Sequence, residues 1–214
     1  MSGAQFWLVY VQGWGFDPSF WDPLRAHLPE IESIAVDLGF RGPPTLPAPP
    51  AGRILVGVGH SLGMLWLLKR RLYDWQAAIS INGFPRFARG EDFPHGVAPR
   101  LLERMIARLS DSPHAVYGDF MRRIGIAEPD LAGLNVEKLA EGLRWLADWD
   151  LRPVPEALVQ ALAGRADPLL PPELSQSAFA GKILAFHESG GHLLPLTDPA
   201  WCAARIREAL ERTC

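Results

Sequence analysis

A serine, an aspartate and a histidine stand far apart in this chain, each in a setting suited to acyl transfer. Ser61 sits between two glycines in "GHSLG", residues 59–63. Asp167 lies in "GRADPLLP" and His192 in "ESGGHLLPL". A serine hydroxyl is a weak nucleophile until a neighbouring base takes its proton. The base needs an acid to fix its tautomer and to stabilise the imidazolium that forms. Among the six histidines, His192 has the best placement, directly after the predicted last strand. His60 adjoins Ser61 but points away from it on a tight turn, and His27, His95, His114 and His187 lack a comparable position. For the acid, Asp167 follows a predicted strand; Asp198 reads better as a helix N-cap, and Asp150 precedes the penultimate strand.

The elements around these residues alternate in type. Short apolar runs at 6–11, 54–58 and 77–82 read as strands buried on both faces, with a further strand at 33–37. Helices are expected from Asp17 to Leu28 and from Ser61 to Tyr73, the latter closing on Lys69, Arg70 and Arg71. The stretch 41–52 has five prolines in twelve residues and reads as an extended connector. Strands resume at 157–163 and 182–186, followed by a helix from about Pro199 to Arg212. This alternation implies an α/β fold with a mostly parallel sheet.

Ser61 therefore falls between a strand and a helix, where a G-x-S-x-G sequence forms a sharp turn that exposes the serine. Gly59 and Gly63 give room for strand and helix to pass closely. The oxyanion of an acyl-transfer intermediate needs backbone N–H donors. Leu62, next to the nucleophile, and Trp14, in the glycine-rich loop "QGWGF" after the first strand, are the expected pair.

Residues 86–150 break the rhythm. Helices are expected at Pro99–Leu109, His114–Ile124 and Val136–Trp149 with no strand between them, so a helical cap is inserted into a core formed by 1–85 and 151–214. Over 86–123 seven arginines face five acids, a net of +2.

The bulk properties narrow the function classes. The chain has 214 residues, 48% of them hydrophobic, and a net charge of −3, with no basic excess for nucleic acid. No run is long and apolar enough for a membrane span, and the N-terminus lacks the pattern of a secretory leader. The two cysteines, Cys202 and Cys214, form neither a disulfide framework nor a metal-ligand pattern. A cytoplasmic monomer is expected.

The order serine, acid, histidine is that of the α/β-hydrolase superfamily. The chain resembles, within it, the pimeloyl-[acyl-carrier protein] methyl ester esterases of biotin synthesis. The resemblance rests on "GWG" at 13–15 with Trp21 after it, "SLG" at 61–63, "FARGEDFPHGVAP", "RLSD" at 108–111, "GLRWLADWDLRP" at 142–153 and "GGHLLPLTDP" at 190–199. It implies an α/β-hydrolase fold shortened at its N-terminus, and serine esterase activity without metal or organic cofactor. The implied substrate is a methyl ester on an acyl chain carried by acyl-carrier protein. It also implies that Phe120, Met121, Arg122, Arg123 and Ile124, with Trp14, line the acyl pocket. The family's usual histidine before "GWG" is Gln12 here, and Ala115 and Asp119 stand where its carrier-gripping arginines do, with Arg122 and Arg123 nearby. The residues alone leave open a general small-acyl carboxylesterase or thioesterase, and a non-catalytic binding protein on the same fold.

Overall fold

The computed structural model describes residues 6–71 and 73–213, so Cys214 and the first five residues of the N-terminal stretch lie outside it, as does Leu72. Six strands form one sheet: β1 (Phe6–Val11), β2 (Ser33–Val36), β3 (Ile54–His60), β4 (Ala77–Ile81), β5 (Leu158–Gly164) and β6 (Leu184–His187). Their order is β2-β1-β3-β4-β5-β6 and every neighbouring pair is parallel. The chain steps from β1 to one side for β2, then crosses back to the other side for β3. A parallel sheet opens a crevice at such a reversal, outside the carboxyl ends of the strands. The loop after β1 and the turn after β3 therefore meet there.

The central strands are buried because helices cover both faces. Leu8, Val9, Tyr10, Val11, Val56, Val58, Ile79 and Ile81 are all fully enclosed. Helices α1 (Asp22–Ala26), α2 (Leu62–Arg70), α6 (Pro172–Ala178), α7 (Leu194–Thr197) and α8 (Pro199–Thr213) flank the strands. The helix expected at Asp17–Leu28 is instead a 3₁₀ turn, Pro18–Trp21, leading into α1. Pro23 has no N–H to continue a helical ladder, and the Asp22 N–H reaches only three residues back, to Ser19. Helix α2 stops at Arg70 because Arg71 adopts a left-handed conformation at φ 43° and closes the last turn onto Leu67. Helices α6 and α7 have no counterpart among the helices read from sequence.

Between β4 and β5 the described residues form three helices, α3 (Pro99–Leu109), α4 (Pro113–Arg123) and α5 (Val136–Asp148), and no strand of the sheet. The two ends of this segment are tied together. Arg86 donates to Asp150 at 2.8 Å, and Arg152 donates to both Asp150 and Asp92 at 2.7 Å. Arg152 beside it holds the Asp150 carboxyl down at about 2. No helix among the described residues is long and apolar enough to cross a membrane.

The turn after β3 is packed tightly against backbone. A Cβ on Gly63 would lie 2.0 Å from the Val11 carbonyl oxygen, and one on Gly59 would lie 2.5 Å from the Met64 Cα. Both obstacles are backbone, so neither can swing aside. We expect Gly63→Ala to cost about 3 kcal/mol or more by denaturant unfolding, as overpacking against backbone does. Gly42→Ala, with nothing within 4 Å of the added methyl, should stay within about 0.5 kcal/mol of the parent. Equal effects would contradict the close approach.

Candidate active site

Four loops at the carboxyl edge of the sheet converge on Ser61. The Ser61 backbone takes φ 52°, ψ −124°, a strained combination for a residue with a side chain. It is held by its N–H donating to Ile81 O at 3.2 Å and by its carbonyl accepting from Met64 N–H at 3.1 Å. The strain turns the side chain away from both strand and helix, toward His192. The Ser61 hydroxyl donates to His192 Nε2 across 3.1 Å, and His192 Nδ1–H donates to Asp167 Oδ2 across 2.7 Å. The carboxylate can only accept, so Nδ1 must carry the proton and Nε2 must be the free base.

All three groups are enclosed: relative exposure is 7% for Ser61, 1% for His192 and 7% for Asp167. The second carboxylate oxygen of Asp167 accepts from the N–H groups of Leu169 and Leu170 at 2.8 and 3.1 Å. Three donors thus orient this acid. The histidine is positioned as the sequence required, after β6. Asp198 instead accepts from Trp201 N–H at the start of α8 and pairs with His187 Nε2 at 3.0 Å. Asp150 belongs to the Arg86–Arg152 cluster described above. His60 points away from the serine, its Nε2–H donating to the His192 carbonyl at 2.9 Å. Burial, with His192 adding to it, pushes the His60 imidazole well below the usual histidine range, so this ring stays neutral.

The loop after β1 passes directly over the serine: a Cβ on Gly13 would lie 3.1 Å from Ser61 Cβ. Trp14 follows, its indole N–H donating to Leu139 O on α5 at 2.8 Å and its ring edge-on to Phe120 at 4.9 Å. Gly15, at φ 82°, is held from above by Tyr117, whose hydroxyl donates to the Gly15 carbonyl at 3.1 Å. Leu62 opens α2, where the first amides have no partner inside the helix.

A cavity of about 250 Å³ rises from Ser61 and Trp14 between α3, α4 and α5. Its walls are apolar, including Phe84, Phe87, Leu102, Met105, Phe120 and Leu146, and its rim carries Arg104, Arg108 and Arg123. Of the stretch expected to line the pocket, Phe120 and Arg123 do so, and three residues do not. Met121 is buried against Gly15, Arg122 turns outward to pair with Asp119 at 2.7 Å, and Ile124 is buried at the end of α4. Residues 120–123 are four consecutive helical positions, more than one 3.6-residue turn, with Ile124 capping the helix, so the run cannot all face one cavity. In the sequence, Leu101, Leu102, Met105, Ile106 and Leu109 fall on one apolar face of α3, with no sign that the face borders a cavity. Arg104 carried no signal beyond its charge, and Arg108 only its place in "RLSD".

No protein-family profile matches the chain. An esterase from Exiguobacterium antarcticum superposes with a TM-score of 0.79 at 18% identity, covering 96% of this chain and 91% of its own. BioG from Haemophilus influenzae superposes at 0.66 and 17% identity, covering 93% and 94%. Sheet, crossovers and the serine turn thus make the molecule an α/β-hydrolase, and its relatives put it among the carboxylic ester hydrolases. A pimeloyl-[acyl-carrier protein] methyl ester esterase from Legionella pneumophila is 30% identical over 187 residues, 77% of each chain. The chain belongs to the pimeloyl-[acyl-carrier protein] methyl ester esterase family.

Ser61→Ala is expected to lower kcat on a p-nitrophenyl ester by on the order of 10⁶-fold, as loss of a nucleophile does. Asp167→Asn, which disturbs the tautomer and leaves the shape, should lower it by about 10⁴-fold. Both should unfold near the parent temperature. Turnover within tenfold of the parent in either would contradict the assigned geometry.

Proposed function

We propose that the chain hydrolyses the methyl ester at the end of an acyl chain carried on acyl-carrier protein, with Ser61 as nucleophile, His192 as base and Asp167 as its orienter. His192 Nε2 takes the Ser61 proton as the oxygen attacks the ester carbonyl. The N–H groups of Trp14 and Leu62 receive the oxyanion. Methanol leaves with the proton from His192, and an acyl-serine ester remains. Water, deprotonated by the same nitrogen, then releases the acid. No metal or organic cofactor takes part. Residues 86–150 act as the cap that excludes water from the acyl chain.

The observation that carries this reading is the hydrogen-bonded line Ser61–His192–Asp167 at the floor of an apolar cavity with a basic rim. The apolar walls suit methylenes. The rim arginines, none of them in an ion pair among the described residues, suit the phosphate and acidic surface of a carrier. The relative from Legionella pneumophila is named for that substrate. Asp119 lines the same rim, and a carboxylate there favours the alternative of a general small-acyl carboxylesterase.

One comparison separates the two. With methyl pimeloyl carrier protein and free methyl pimelate, we expect kcat/KM to favour the carrier form. Arg104→Glu with Arg108→Glu should lower kcat/KM for the carrier form by about tenfold and leave the free ester unchanged, and the effect should shrink with added salt. Equal rates on both substrates, with no response to charge reversal, would establish the general enzyme.

A further inference from the structure

The base is held from behind by a residue whose side chain neither hydrogen-bonds to the serine nor lines the cavity. Asn82 follows β4 directly, 1% exposed, with φ 45°. Its carboxamide nitrogen donates to the carbonyls of Gly191 and His192, both at 2.8 Å. Its oxygen accepts from the Gly164 N–H at 2.9 Å. The amide has one orientation that satisfies all three contacts, nitrogen toward the carbonyls and oxygen toward the N–H. The His192 carbonyl also receives His60 Nε2–H at 2.9 Å. Two side chains, from the ends of neighbouring strands, therefore grip the backbone of the residue proposed as base.

The far end of the carboxamide explains the arrangement. Gly164 ends β5 and lies three residues before Asp167. The acid and the base sit on two separate loops, and the 2.7 Å Nδ1–Oδ2 contact depends on how those loops stand relative to each other. Asn82 spans both. The loops also pack without slack there, since a Cβ on Gly164 would lie 2.2 Å from the Gly190 oxygen. Asparagine suits the place on two counts: among residues with side chains it enters the left-handed region at low cost, and its amide is both donor and acceptor.

We propose that Asn82 is a positioning residue, which, together with His60, clamps the His192 backbone so that the imidazole stays in register with Asp167 and Ser61. This rests on the catalytic reading given above. A misplacement of about 1 Å in such a site costs about 100-fold in rate.

Asn82→Gly removes the carboxamide and keeps a residue at ease with the left-handed backbone. On a p-nitrophenyl ester we expect kcat to fall about 10- to 100-fold with KM within about twofold, since the cavity is untouched. The downfield proton resonance of the His192 Nδ1–H should broaden or vanish. A purely structural role would lower the melting temperature and leave both readouts of the folded protein as in the parent, and that result overturns the proposal. Should Asn82→Gly not fold, Asn82→Asp retains the acceptor for Gly164 and replaces only the two donations to the His192 loop, and the same readouts decide. His192→Ala, measured alongside, separates the two levels. If it retains turnover, the catalytic reading fails and the clamp with it. If it abolishes turnover while both Asn82 variants keep parental kcat and resonance, the clamp alone fails.

Discussion

The 2.7 Å contact between Asp167 and the His192 ring is the constraint around which the rest of the molecule is arranged. It decides which ring nitrogen carries the proton, and so whether Nε2 can accept from Ser61. A histidine in the other tautomer would set the Nδ1 lone pair against the carboxylate and leave Nε2 unable to take the serine proton. The contact is also costly to make. It places a carboxylate with a fully enclosed side chain next to an imidazole that is itself 1% exposed. Buried carboxylate oxygens are tolerated where donors meet their lone pairs. The amides of Leu169 and Leu170 do that, at the turn where the chain leaves β5.

Bringing three distant residues into line needs a rigid base, and the parallel sheet provides it. The serine follows β3 directly, and the acid and the histidine stand three and five residues past the ends of β5 and β6, so all three loops start from fixed points on one edge. The reversal of strand order between β1 and β3 leaves the crevice, and the absence of side chains at Gly59 and Gly63 lets β1, β3 and α2 close around it. The helices α3 to α5 are tied to that edge from above. Trp14 reaches up to Leu139 and Tyr117 reaches down to Gly15, so the loop over the serine is fastened to the helices that wall the cavity. A change in those helices would therefore be felt by the loop itself.

Much of this was legible in the sequence, and the reasons differ by element. The central strands β1, β3 and β4 were visible as short apolar runs, since a strand covered on both faces has no polar alternation to hide it, whereas the edge strands β2 and β6 are half-buried. Ser61 and His192 were legible because each combines a reactive side chain with flanking glycines after a strand. Asp167 was picked out by its place after a predicted strand, ahead of Asp198 and Asp150. The first helix was misjudged because Pro23 breaks an otherwise helical pattern into a 3₁₀ turn and a short α-helix. The short helices α6 and α7 escaped because four to seven residues carry too little periodicity to register. The run 120–124 was assigned to the pocket as a block, whereas helical geometry admits only part of it. Asn82 left no trace: an asparagine before a glycine reads as a turn former, and its partners are 82 to 110 residues away. A carboxamide that bridges loops is a property of tertiary structure alone.

The most direct test of the central claim is the site of covalent capture by a fluorophosphonate, read by peptide mapping. Such a probe reacts with a serine only where a base activates it and an oxyanion site receives the phosphoryl oxygen. A single adduct on Ser61, absent when His192 is replaced by alanine, is the outcome required. An adduct at another residue, or labelling of Ser61 at an undiminished rate without His192, would contradict it.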